Sequence, residues 1–163
     1  MALIESLFIA SCGSGCPLRL PCGPRAGETV VDLGCGAGHD VIIASRIVGS
    51  NGQVIGVDMT PELIEAAATN TKAYTTTEEG ETSPENIKFL RAAFDDIEDI
   101  KRILDAESAD VVISNGVFNL CGDKKTAFAS AFWLLKPGGR LLFSDLCRVK
   151  HNPSVAVSCS IGD

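Results

Sequence analysis

Apolar positions along this chain recur with two alternating periods. Glu28–Leu33 (ETVVDL) is a β-branched run that ends at a glycine turn. Gly38–Val48 then places Val41, Ile42, Ala44, Ser45 and Val48 on one helical face. Gly49–Gly52 is a turn, and Gln53–Asp58 (QVIGVD) predicts a second strand. Thr60 caps a helix that opens with Pro61 and Glu62 and runs to about Tyr74. The polar stretch Thr75–Glu85 follows, then a third strand over Asn86–Arg91 (NIKFLR) and a short helix over Asp96–Leu104. Ala109–Ser114 (ADVVIS) predicts a fourth strand. Asp123–Leu135 predicts an amphipathic helix stopped by Pro137-Gly138-Gly139, and Arg140–Leu146 (RLLFSDL) a fifth strand.

Strands that alternate with helices form βαβ units, and hence a parallel sheet. The strands are nearly continuous apolar runs, as strands covered on both faces are. With no internal repeat and no linker, the expectation is one domain over residues 1–163. It divides into a Cys/Gly/Pro-rich loop (1–27), a core (28–146) and a tail (147–163).

Charge narrows the partners. The net charge of −7 argues against nonspecific nucleic-acid binding and against docking on anionic lipid. No apolar run is long enough to span a membrane, and the apolar start carries Glu5 and no basic segment, so it does not read as a signal peptide. Seven cysteines (Cys12, Cys16, Cys22, Cys35, Cys121, Cys147 and Cys159) are an odd number without a secretion signal. The reading is a reduced, cytoplasmic protein. Cys12, Cys16 and Cys22 fall at loose spacing with no fourth ligand nearby. They are read as part of a loop over a ligand rather than as a metal site, although three thiols could hold zinc or As(III).

The chemistry concentrates at Val31-Asp32-Leu33-Gly34-Cys35-Gly36-Ala37-Gly38, which closes the first strand and opens the first helix. Glycines let the backbone turn sharply and let a ligand lie against bare peptide. Asp58 ends the second strand about 20 residues on, where a carboxylate can accept hydrogen bonds from a ribose. A nicotinamide-binding turn wants G-x-G-x-x-G to hold a pyrophosphate, whereas this chain has G-x-G-x-G, with Asp32 two residues before its first glycine. A carboxylate repels a pyrophosphate and suits an ammonium. S-adenosylmethionine has an ammonium, a sulfonium and a ribose and no phosphate, so the two acids fit it.

From about Glu28 to Asp145 the chain resembles class I S-adenosylmethionine-dependent methyltransferases. The resemblance is carried by VDLGCGAG, IGVDM, FLRAAFDD, VVISNGV and LLKPGGRLLFSD. It implies a Rossmann-like three-layer α/β sandwich with a mostly parallel sheet in the order 3-2-1-4-5. The family's usual strands six and seven are lacking here. It also implies a cofactor site of Asp32, Gly34, Cys35, Gly36, Gly38, Asp58, Met59, Phe94, Asp95 and Asn115. In that site Asp32 meets the ammonium, Asp58 the ribose, Phe94 and Asp95 the adenine, and Asn115 the methyl end.

Within that class the details are similar to arsenite methyltransferases. Ser114-Asn115-Gly116-Val117-Phe118-Asn119-Leu120 matches that family's S-N-C-V-x-N-L stretch. Asp123-Lys124, Gly13-Ser14-Gly15-Cys16-Pro17 and Gly38-His39-Asp40 match three further motifs. The resemblance implies methyl transfer to a small acceptor, with As(III) held by thiolates as the candidate and no general base required. Gly116 stands where that family has a cysteine, so Asn115, Cys121 and Cys159 are the candidate catalytic residues. His39 reads as a first-turn polar residue, with a base for an O- or N-acceptor as the other reading. The fifth strand is expected to be an apolar edge that the tail covers, that a second copy pairs with in a homodimer, or that marks a fragment. The alternatives in function are a truncated, non-catalytic cofactor-binding module and a nicotinamide dehydrogenase.

Overall fold

A computed structural model describes residues 17–19, 22–75 and 84–146. Five strands form one sheet: β1 (Thr29–Leu33), β2 (Gln53–Asp58), β3 (Ile87–Arg91), β4 (Ala109–Asn115) and β5 (Leu135–Ser144). Their order is β3-β2-β1-β4-β5, and every neighbouring pair is parallel. The helices are α1 (His39–Val48), α2 (Pro61–Thr75), α3 (Ile97–Ile103) and α4 (Lys124–Leu134).

Alternation along each strand divides the core into two layers. Val30, Val54, Val111, Ile113 and Leu142 face α1 through Val41, Ala44 and Val48. Val31, Leu33, Ile55, Val57 and Val112 face α3 and α4 through Ile100, Ala127, Ala131 and Leu134. The central strands are therefore covered on both sides, which accounts for their continuous apolar sequence. Helix starts follow their sequence signals. Asp96 accepts from the Glu98 and Asp99 N–H groups and caps α3, and Asp123 accepts from Thr126 N–H and caps α4.

The predicted elements agree with the observed ones to within a residue or two, except at the last junction. Pro137-Gly138-Gly139 does not lie in a loop before the fifth strand. β5 begins at Leu135, directly after α4, and pairs there with Ala109; Arg140 then pairs with Val111. The intervening residues bulge out of the ladder. Proline has no N–H to give the ladder, and β5 is the outer strand among the described residues, so its place in a bulge on an edge strand costs little.

One ion pair ties the start of the described chain to this edge. The Arg140 guanidinium donates to both carboxylate oxygens of Glu28 at 2.9 and 2.7 Å, and to the Cys22 and Gly23 carbonyls at 2.7 and 2.8 Å. Cys12, Cys16, Cys147, Cys159, His151 and the tail lie outside the described residues. No described helix is long and apolar enough to cross a membrane.

The Arg140 bond holds the Glu28 carboxyl below its ordinary range. The pair is fully stabilising above the unfolded glutamate pKa and loses that contribution as pH falls through the lowered folded value. Arg140→Ala is therefore expected to cost about 1–3 kcal/mol in chemical denaturation at neutral pH. The difference from wild type should shrink toward acid, and a difference constant with pH would rule out this role for the pair.

Candidate active site

The carboxyl ends of β1, β2, β3 and β4 open into a crevice of about 480 Å³. This is the position at which open parallel sheets bind ligands. Its floor is the turn from β1 to α1. Gly34 N–H and Cys35 N–H both donate to the Val57 carbonyl, at 2.8 and 3.0 Å, and fix the turn on the end of β2. Gly34 has φ +78°, and a Cβ there would lie 2.6 Å from Val117, so only glycine fits. A Cβ on Gly36 would meet nothing within 4 Å: it would project into open space. That bare peptide is a surface against which a ligand can lie.

Three carboxylates surround the turn. Asp58 accepts from Gly36 N–H at 3.0 Å and from Thr60 N–H at 2.9 Å, so it is oriented from both sides and keeps lone pairs for a ligand. Asp40, in the first turn of α1, accepts from Asn115 Nδ2 at 3.0 Å. Asp32 is 2% exposed and receives no hydrogen bond from the described residues. Burial, and then the charges of Asp40 and Asp58, push its carboxyl well above the ordinary range. Burial also raises Asp40, against the lowering effect of the Asn115 bond.

The remaining residues expected at the site divide by what their side chains do. Cys35 offers backbone only. Its Sγ is buried against Gly56, where a Cβ would lie 2.9 Å away, and burial followed by Asp32 and Asp58 keeps it a thiol. Gly38 ends the turn, its N–H bonded to the Cys35 carbonyl at 2.9 Å. Met59 is on the rim and 63% exposed. Phe94 reaches the crevice from the end of β3, but its ring is buried edge-on against Phe118, with centroids 5.5 Å apart. Asp95 lines the wall and accepts from Gly122 N–H at 3.2 Å, which joins the end of β3 to the segment after β4. Asn115, Gly116 and Cys121 stand together at the opposite wall. The Cys121 thiol is half-buried and donates to the Val117 carbonyl at 3.6 Å. Burial, and then Asp95, raise its pKa. Cys159 lies outside the described residues.

Sequence reasoning missed Leu63, Leu120 and the part played by Asp40. Asp40 was visible only as the third residue of Gly38-His39-Asp40, and its contact with Asn115 joins two elements far apart in the chain.

A buried carboxylate with no donor and two like charges nearby is costly unless a cation completes it. The ammonium of S-adenosylmethionine is a cation of that kind, and its ribose carries hydroxyls from which a carboxylate placed like Asp58 could accept. Asp32→Asn keeps the volume and removes the charge. It is expected to weaken S-adenosylmethionine binding by about tenfold or more in calorimetry, since tenfold is only ~1.4 kcal/mol. The raised carboxyl binds a proton in the folded state that the unfolded chain releases. Wild-type stability therefore falls as pH rises from the ordinary aspartate range through the raised value. The variant is spared this loss, so its melting temperature should equal or exceed that of wild type, with a margin that widens with pH. A variant that melts lower and binds as well as wild type would remove Asp32 from the site.

Comparison with known proteins agrees with this geometry. Residues 24–160 match the family described as a methyltransferase domain. The arsenite methyltransferase of Halobacterium salinarum is 38% identical over 94% of this chain, and that of Homo sapiens 34% over 72%. The chain spans only 40% and 30% of those two proteins. Among solved structures, an arsenic(III) S-adenosylmethionine methyltransferase of Chlamydomonas reinhardtii superposes with a TM-score of 0.67 at 34% identity. That likeness covers 87% of this chain and 48% of the other. A methyltransferase from Aquifex aeolicus shares the fold, with a TM-score of 0.66 at 21% identity over 92% of this chain and 78% of its own. With a family match over most of its length and the sheet order of that fold, the chain belongs to the S-adenosylmethionine-dependent methyltransferase family.

Proposed function

We propose that this chain moves the methyl group of S-adenosylmethionine to a small acceptor, and that the acceptor is As(III). The observation that carries the cofactor half is Asp32, a buried carboxylate with no donor among the described residues, at the base of a glycine turn. Asp32 would hold the ammonium, the backbone of Gly34–Gly38 the methionine chain, Asp58 the ribose, and Asp95 and Met59 the rim around the adenine. When bound, the cofactor supplies an electrophilic methyl group.

The protein's task is then position and dryness. Asn115, anchored by Asp40, shapes the wall at the methyl end. Val117 and Leu120 keep that wall apolar. Cys121 supplies a thiol on the same wall, and As(III) is a soft centre that thiolates bind well. A neutral thiol suits this ligation: arsenite can leave its hydroxide as water by taking the thiol proton. As(III) keeps a lone pair, so no base is needed. Cys159 is the candidate second thiol. The arsenite methyltransferases to which the chain is similar support this acceptor.

A second reading rests on Gly116. It stands at φ +71°, a backbone that side-chain-bearing residues rarely adopt, where a cysteine ligand is expected of an arsenite methyltransferase. On that reading the chain binds the cofactor without turnover and pairs with a second copy along β5. We further propose that residues 1–163 act as one cytoplasmic unit that takes a small acceptor rather than nucleic acid.

Mass spectrometry of S-adenosylhomocysteine formation, with and without arsenite plus glutathione, separates the two readings. The expected result is arsenite-dependent product that falls about tenfold or more in Cys121→Ser, since even the loss of a group that only orients a ligand costs about that much. No product from protein that binds the cofactor in the same sample would leave the binding module as the function.

A further inference from the structure

The crevice is a site of one sign. Asp32, Asp40, Asp58 and Asp95 line it, and among the described residues no Lys or Arg does. Asp58 accepts from the Gly36 and Thr60 N–H groups, and Asp95 from Gly122 N–H. Asp32 has no such donor among the described residues. Its neighbours in register are Gly56 on β2, which has no side chain, and Ile113 on β4, which is apolar. The next residue of β4, Ser114, gives its hydroxyl to the Leu33 carbonyl at 2.8 Å. The ionisable groups that share this end of the sheet with Asp32 are His39 and Asp40 from the start of α1, Asp58 from β2 and the Cys35 thiol from the turn. Asp95 and Cys121 stand on the far wall, and β4 contributes no ionisable group at this end.

A carboxyl that is 2% exposed, lacks a donor and sits among other carboxylates favours its neutral form. Without a ligand, a proton neutralises it. With a ligand, an ammonium does the same. We propose that ligand binding in this crevice is an exchange of cations, in which the arriving ammonium displaces a proton from Asp32 to solvent, and that Asp40 is a positioning residue that acts through Asp32 to govern the exchange. This rests on the cofactor reading above and adds a linked proton to it. One positive charge leaves as another enters, so only an O–H bond is broken and the charge of the crevice is unchanged. Burial and then Asp40 act most strongly on the Asp32 carboxyl, with Asp58 after them. Asp40 in turn accepts from Asn115 Nδ2 at 3.0 Å, a bond that favours its charged form. The amide thus supports the charge on Asp40, and that charge holds the proton on Asp32. At a pH below the raised Asp32 value the ligand must expel the proton, so affinity climbs with pH. Above that value the proton is already gone and affinity levels off.

The test counts protons. Calorimetric titration with S-adenosylhomocysteine, which carries the ammonium, is repeated in buffers of different ionisation enthalpy from about pH 5 to about pH 8. Wild type should release up to one proton per ligand at the acid end and gain affinity there by about tenfold per pH unit at most. 5′-Methylthioadenosine, which has the ribose and adenine but no ammonium, should bind without release. Asp32→Asn should abolish the release and flatten the dissociation constant against pH. Asp40→Asn should move the point at which affinity levels off to lower pH by about half a unit or more, as expected for loss of one nearby charge. Asp40→Ser serves the same purpose if that variant does not fold. The carboxyl carbon resonance of Asp32, assigned by its loss in Asp32→Asn, reports the proton directly. It should titrate above the ordinary aspartate range without ligand and move to its ionised position on saturation. Release that persists in Asp32→Asn, or wild type that binds at constant affinity and releases no proton, overturns the exchange and leaves the cofactor reading in place. A levelling point unmoved by loss of the Asp40 charge overturns the part given to Asp40. Wild type that binds neither ligand overturns the cofactor reading itself.

Discussion

The buried carboxylate of Asp32 imposes the constraint around which the crevice is arranged. Desolvating a charge next to two others of the same sign works against folding. The sheet accepts that cost because β1 is clamped between β2 and β4, with Val30, Val31 and Leu33 fully buried around the acid. A stable central strand holds the carboxylate where water would otherwise draw it out. The same strand delivers the glycine turn, and two hydrogen bonds to one Val57 carbonyl hold that turn in place. The position of this carboxylate therefore depends on the hydrophobic layers on either side of β1.

The fold separates the work of stability from the work of binding. Glu28 and Arg140 join the start of β1 to β5 at the amino-terminal side of the sheet, away from the crevice. At the carboxyl end the links are lighter: Asp95 to Gly122, Asp40 to Asn115, and Asn119 N–H to Asp145 at 2.9 Å. Each joins segments that follow different strands, so the walls of the crevice are assembled from single polar contacts. Regions of this kind open more readily than a core, and ligand sites are commonly drawn from them.

Much of this was legible in the sequence because it depends on local signals. Strand and helix periods and the glycine turn with its two acids need no tertiary information. Asp32, Gly34, Asp58 and Asn115 all line one crevice, as their places at strand ends implied. What stayed hidden depends on neighbours distant in sequence. Pro137-Gly138-Gly139 reads as a loop, and only the pairing of Leu135 with Ala109 draws it into a strand as a bulge. Cys35 reads as a residue of the cofactor turn, and only Gly56 beneath it shows that its sulfur faces inward. Asp40 reads only as the third residue of Gly38-His39-Asp40 until Asn115 arrives from β4.

The aromatic stack at the outer edge has a colloidal consequence. Phe118 lies flat on Phe128 at 4.3 Å and edge-on to Phe143 at 5.6 Å, and among the described residues Phe132 and Leu146 are also 80% and 73% exposed. Such a surface attracts its own kind. Mutual repulsion from a net charge of −7 opposes that attraction at neutral pH. The balance is an electrostatic one, so concentrated salt weakens the restraint. Attraction between such surfaces would then follow the ionic medium.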